Sequence, residues 1–91
     1  MTGTEFVSLS GEALAAHLSI HGVAPTPQRL QIAEVLFRKP QHLSAEQILA
    51  VVNRHESRVS KATVYNSLRL FCDKGLVREV IIDPARVFYD P

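Results

Sequence analysis

The stretch VSKATVYNSLRLFCDKGLV, Val59 to Val77, decides the fold. Ser60 stands where a helix N-cap belongs and Gly75 where a left-handed stop belongs, so the residues between them read as one helix. At about 100° per residue, Val64, Leu68, Phe71 and Cys72 fall within one arc with Ser67 at its edge, and that arc is core. Ala62, Thr63, Asn66 and Arg69 lie opposite, with Lys61 on the same polar side. Tyr65 sits at the boundary, where its ring can lean on the protein while its hydroxyl reaches outward. Acidic residues are absent from this helix until Asp73.

That outer face is unusual for a merely solvated helix. Solvated helices carry Glu and Lys at i,i+4 spacing because such pairs stabilise them. A helix that enters the major groove needs other things: small residues near its start, donors or acceptors for base edges, methyl-sized contacts for thymine and no acid facing phosphate. SKATVYN, Ser60 to Asn66, supplies all of these. Ser60, Lys61 and the free N–H groups of the first turn can also hold a phosphate.

Working outward, a first helix starts near Ser10 and ends at His21 with Gly22 as its stop, and Leu14, Leu18 and His21 share a face. TPQR announces a second: Thr26 caps it, Pro27 takes the first helical position, Leu30, Ile32, Ala33, Val35, Leu36 and Phe37 form its apolar side, and Pro40 ends it. A third begins at Ser44, where Ser44 and Gln47 have capping-box spacing and Leu43 with Ile48 can staple across it. Its apolar side is Ile48, Leu49, Val51 and Val52, running to about Asn53. After Gly75 the period changes: LVREVII is β-branched, DPAR is turn chemistry and VFYD is a second short strand, so the last sixteen residues read as a hairpin. The fold class is therefore mainly α with a small β-hairpin, a winged helix-turn-helix of three to four helices plus a two-stranded wing.

The 91 residues make one small domain with a single core, too short for a multi-step catalytic cleft. Hydrophobic residues make up 46% and charged residues 21%, and no apolar run approaches the roughly 20 residues of a membrane helix. The N-terminus carries no secretory signal pattern, and a cytoplasmic location is expected. One cysteine excludes an internal disulfide and a cysteine-based zinc cluster. The net charge is only +1, but from Pro27 to Arg78 nine basic residues face four acidic ones, an excess of five. A basic centre between acidic ends is the electrostatic pattern of a nucleic-acid binder. A glycine-rich phosphate loop, a nucleophile with a His and acid pair, and paired carboxylates are all missing, so an enzyme is not expected.

TPQR (Thr26 to Arg29), HLSAEQI (His42 to Ile48), ATVYNSL (Ala62 to Leu68), GLV (Gly75 to Val77) and RVFYD (Arg86 to Asp90) occur in the order and spacing of the ferric uptake regulator family. The chain resembles the N-terminal domain of that family across nearly everything after Gly22. The resemblance implies a bacterial metal- or peroxide-responsive transcription regulator, usually a repressor, that acts on double-stranded DNA as a homodimer. It implies that Ala62 to Leu68 begins the recognition helix, that Tyr65 touches thymine methyl groups, and that Arg29 and Ser60 hold phosphates. Asn66 stands where many members have arginine; asparagine suits a bidentate contact to adenine, and it and the acid ending VFYD lean toward the iron-response and peroxide-response branch. Ala24 stands where some members send a basic residue into the minor groove.

The resemblance also implies a C-terminal metal-binding dimerisation domain, expected to lie outside residues 1–91, and a regulatory metal site between the domains. His42 and Asp90 match the two ligands that the winged helix contributes. Two such ligands cannot by themselves hold iron, manganese or zinc tightly, so 1–91 is expected to be a metal-free monomer. His17 and His21, at i,i+4, are expected to be partly buried rather than chelating, His55 to lie in a loop, and Cys72 to be a buried, inert thiol. Two other readings stay open: a winged helix used as a protein-interaction module, and a winged-helix repressor that senses no metal.

Overall fold

The structure is a computed structural model that describes residues 11–38, 41–54 and 58–91. In chain order they form α1 (Gly11–Ile20), α2 (Pro27–Phe37), α3 (Ala45–Val52), α4 (Lys61–Asp73), β1 (Arg78–Asp83) and β2 (Arg86–Asp90). The expected roles of Ser10, Pro40 and His55 lie outside the described residues.

Local chemistry sets the helix limits. The Thr26 hydroxyl oxygen accepts from the Arg29 amide at 3.3 Å, with Pro27 at the first helical position. At α3 the capping box is complete: Ser44 Oγ accepts from the Gln47 amide at 3.2 Å, and Gln47 Oε1 accepts from the Ser44 amide at 2.9 Å. Ser60 Oγ accepts from the Thr63 amide at 3.1 Å. Each such cap stabilises its helix by about 1 kcal/mol. At the other ends, Gly22 (φ 80°) and Gly75 (φ 78°) take the left-handed conformation. The amide of the next residue then reaches back, Val23 to the Leu18 carbonyl and Leu76 to the Phe71 carbonyl, both at 2.9 Å. Those 6→1 bonds satisfy carbonyls that a helix end otherwise leaves open.

The helices enclose one core. Leu14 and Leu18 of α1, Ile32 and Leu36 of α2, Ile48 of α3, and Val64, Leu68 and Phe71 of α4 are fully buried. Each contributes roughly 1.5–3 kcal/mol relative to exposure. Leu76, Val77 and Tyr89 close the core from the wing side. Leu76 and Val77, expected at the start of the first strand, are instead buried connectors, and β1 begins at Arg78. Cys72 also departs from expectation: it is half-buried at the rim, while Ser67 is buried at 6% exposure. The wheel gave its direction correctly, since it packs against the core, but it also lines a surface pocket beside Leu76, Val77 and Glu79.

Among the described residues, Asn53 at the end of α3 clasps Val59 just before α4. Asn53 Oδ1 accepts from the Val59 amide at 2.8 Å and Asn53 Nδ2 donates to the Val59 carbonyl at 3.0 Å. This two-bond clasp fixes where α4 leaves α3. In the wing, β1 and β2 pair antiparallel from Arg78↔Asp90 to Asp83↔Arg86, with a register shift between Ile81 and Asp83. Asp83 organises the turn, accepting from the Ala85 amide and pairing with Arg86 Nε, both at 2.9 Å. Leu43, expected only as a staple, also forms an antiparallel bridge to Tyr89, with N···O distances of 2.8 and 3.3 Å.

Candidate nucleic-acid interface

From Lys61 to Arg69, α4 keeps one side exposed while Val64, Ser67 and Leu68 on the other are buried. Ser60, Lys61, Ala62, Tyr65, Asn66 and Arg69 are exposed, and Thr63 is half-buried between them and the core. The Ser60 hydroxyl is doubly engaged: besides capping, it donates to Thr63 Oγ1 at 2.9 Å. Its first task is therefore local, which leaves the first-turn amides and the Lys61 ammonium as the groups at this end suited to an anion.

Arg29 comes to the same groove from α2. Thr26, Gln28 and Arg29 line a shallow cleft with Thr63, Asn66 and Ser67 of α4. The guanidinium donates to the Ala24 carbonyl at 3.0 Å, which holds it near the cleft and leaves its other N–H groups for an anion.

Tyr65 departs from the sequence expectation in one respect. Its hydroxyl does not reach freely outward but donates to Glu46 Oε2 of α3 at 2.6 Å. The Lys61 ammonium lies 5.8 Å from the ring centroid, within cation–π reach. This hydrogen bond, first among the causes, holds the Glu46 carboxyl below the usual carboxylate range and the Tyr65 phenol above its usual value. The face that lacks acid along α4 thus acquires one from α3. Glu46 was missed because 19 residues separate it from Tyr65 and no local spacing links them.

His42 and Asp90 are brought together. His42 Nε2 lies 3.4 Å from Asp90 Oδ2, and the Arg78 guanidinium lies 3.1 Å from the same oxygen. The Leu43–Tyr89 bridge explains the meeting, because it lays the segment before α3 alongside β2 one residue from each partner. Arg78 is a second residue that sequence reasoning missed.

His17 and His21 are half-buried, as expected, and stack on each other. Their rings meet edge to face at 4.7 Å, His17 packs on Phe37 at 5.4 Å, and His21 Nδ1 faces the His17 carbonyl at 3.0 Å. Burial, then the neighbouring His21, lowers the His17 pKa. Burial likewise raises the Cys72 thiol, with Glu79 and Asp73 adding, so its thiolate is disfavoured. Among the described residues no group of three or more His, Cys, Asp or Glu could hold a metal ion, and no helix is long and apolar enough to cross a membrane.

A profile of the ferric uptake regulator family matches residues 21–90. The peroxide operon regulator of Bacillus subtilis (strain 168) is 39% identical over 69 residues, which are 76% of this chain and 48% of that protein. The ferric uptake regulation protein of a Synechocystis strain is 30% identical over 86 residues, 92% of this chain and 52% of that protein. Among solved structures, the ferric uptake regulator of Pseudomonas aeruginosa with manganese superposes with a TM-score of 0.77 at 28% identity, over 85% of this chain and 58% of that one. The Vibrio cholerae regulator, whose structure is described as a rearrangement of the DNA-binding domains, also has a TM-score of 0.77, at 31% identity over 84% of this chain and 59% of that one. The chain spans about half the length of the curated relatives it matches.

Proposed function

The chain belongs to the ferric uptake regulator family, and from that premise we propose that it is the winged-helix, DNA-reading unit of a metal- or peroxide-responsive transcription regulator, a repressor. The observation that carries this is the exposed first half of α4, with Lys61, Ala62, Asn66 and Arg69 outward, Tyr65 at its flank, and Arg29 in the adjoining cleft. In this reading α4 enters the major groove, Tyr65 and Asn66 meet base edges, and Arg29, Lys61, Arg69 and the Ser60 end of the helix meet phosphates. Thr63 and Ala62 let the backbone come close. The activity is regulatory rather than enzymatic, and the compartment is the cytoplasm.

Residues 1–91 correspond to one winged-helix domain, and a longer protein would add a metal-binding dimerisation domain. There, His42 Nε2 and Asp90 Oδ2 would supply two donors to a divalent metal. Their 3.4 Å separation fits a single ion, since two bonds of about 2.1 Å at a tetrahedral angle span about that distance. Bound there, iron, manganese or zinc would tie the wing to the second domain, while the Arg78 guanidinium would compete for the Asp90 oxygen.

Competition binding to duplexes tests the reading face. Tyr65→Ala should reduce discrimination by about 1–3 kcal/mol at one or two A·T positions, whereas Arg29→Ala should weaken all sequences alike and flatten the salt dependence. Unchanged sequence preference in Tyr65→Ala would refute the assignment. Binding that barely responds to salt would favour a protein-interaction module instead.

A further inference from the structure

Glu46 is the acid nearest the reading face, and its position calls for a physical account. As the second residue of α3 it suits the helix dipole, which alone would leave its carboxylate facing solvent. Instead the side chain crosses to α4 and accepts a hydrogen bond from the Tyr65 hydroxyl at 2.6 Å. An exposed pair of this kind adds little to stability, because water competes for both partners. A carboxylate beside a surface that meets phosphates also opposes DNA binding. Neither folding nor affinity accounts for it.

Its effect on Tyr65 does. The ring is 38% exposed, with the Lys61 ammonium 5.8 Å from its centroid and Glu46 at its hydroxyl. A tyrosine hydroxyl has one proton. While that proton is engaged in the hydrogen bond to Glu46, the oxygen can only accept from elsewhere, and the ring can offer only carbon contacts. We propose that Glu46 is a positioning and specificity-determining residue for DNA reading: by accepting the Tyr65 hydroxyl hydrogen bond it orients the ring and restricts Tyr65 to pairs that present a methyl group and an amino donor.

In the major groove an A·T pair presents both, the thymine methyl and the adenine N6 amino group. Guanine presents N7 and O6, two acceptors that an accepting hydroxyl oxygen cannot satisfy, and its partner cytosine offers an amino donor but no methyl beside it. The latch therefore favours A·T and excludes guanine. Releasing it frees an O–H donor that can serve guanine O6 or N7. Holding the ring before DNA arrives also removes part of the ordering cost of binding.

This inference rests on the reading face assigned to α4, and the test separates the two. Preferred duplexes are selected from a randomised library with the 91-residue chain, and single-position competition is then measured for Tyr65→Ala, Glu46→Ala and Glu46→Gln, with thermal midpoints as a folding control. Glu46→Ala should relax A·T over G·C discrimination at the Tyr65 position by about threefold to tenfold, the range one net hydrogen bond commands. Glu46→Gln, whose amide oxygen still accepts, should keep that discrimination while binding every duplex more tightly for want of the negative charge. A merely structural Glu46 would move the midpoint and leave the discrimination pattern alone. Full A·T preference in Glu46→Ala alongside its loss in Tyr65→Ala would overturn the inference and leave the reading face standing. An equal loss of discrimination in Glu46→Gln and Glu46→Ala would overturn the acceptor role, and retained preference in Tyr65→Ala would overturn the reading face and the inference together.

Discussion

Tyr65 and Glu46 hold each other's protonation states apart, and that has a consequence in pH. The Glu46 carboxyl is lowered, first by the Tyr65 hydroxyl and then by a backbone hydrogen bond, so its contribution is present above the ordinary carboxylate pKa and is lost as pH falls through the lowered value. The Tyr65 phenol is raised, first by the bond to Glu46, so its contribution is present below the ordinary phenol value of about 10 and is lost as pH rises through the raised one. The latch is thus intact throughout the neutral range. NMR titration of Cζ-labelled tyrosine should find both phenols above the ordinary value; Glu46→Ala should return Tyr65 toward it and leave Tyr89, raised mainly by burial, high. A Tyr65 titration indifferent to Glu46 would contradict the contact. Tyr65 itself was legible from its place at the edge of the helical wheel, because that is a matter of angle along one helix. Its partner was not, because only the packing of α3 on α4 sets which side chain meets the hydroxyl.

Among the elements, the link between α3 and α4 matters most, since it aims the helix proposed to read DNA. Asn53 is half-buried and makes both of its bonds to the Val59 backbone. Asn53→Ala leaves that N–H and carbonyl without partners and should cost about 1–3 kcal/mol. For a domain of this size each kcal/mol is worth about 4–8 °C, so the thermal midpoint by circular dichroism should fall by several degrees or more. Asn53→Asp keeps the acceptor for the Val59 amide and should fall less. DNA affinity should drop for all sequences alike, because the whole of α4 loses its angle. The helices themselves were legible from Thr26, Ser44 with Gln47, Ser60, Gly22 and Gly75, whose bonds span three to five residues. The clasp at Asn53 was not, since an asparagine after a helix reads equally well as an ordinary C-cap.

At the scale of the whole molecule, the exposed large apolar side chains among the described residues are Ile20 on α1, Tyr65 on α4, and Ile81 and Ile82 on the wing. They lie on three different elements and form no helical stripe of the sort that pairs two copies. The 91-residue chain should therefore sediment as a monomer at micromolar concentration. With His42 and Asp90 as a two-donor pair, and Asp90 already facing Arg78, added Mn²⁺ should leave the thermal midpoint and DNA affinity nearly unchanged. A micromolar metal site lost on His42→Ala would reverse that expectation and make the winged helix a sensor in its own right.

The sequence by itself determined where α2, α3 and α4 begin, where α1 and α4 end, which side of α4 faces the core, and that a hairpin follows Gly75, because caps, stops and periodicity act within one or two turns of chain. It also singled out His42 and Asp90, though only through resemblance. The tertiary structure alone decided that the Leu43–Tyr89 bridge brings that pair to 3.4 Å, that Cys72 lies at the rim, and that Glu46 closes on Tyr65. Each of these depends on how two elements are set against one another. That setting comes from the joint packing of Leu18, Leu36, Ile48, Leu68 and Phe71 in one core, and no single segment carries it.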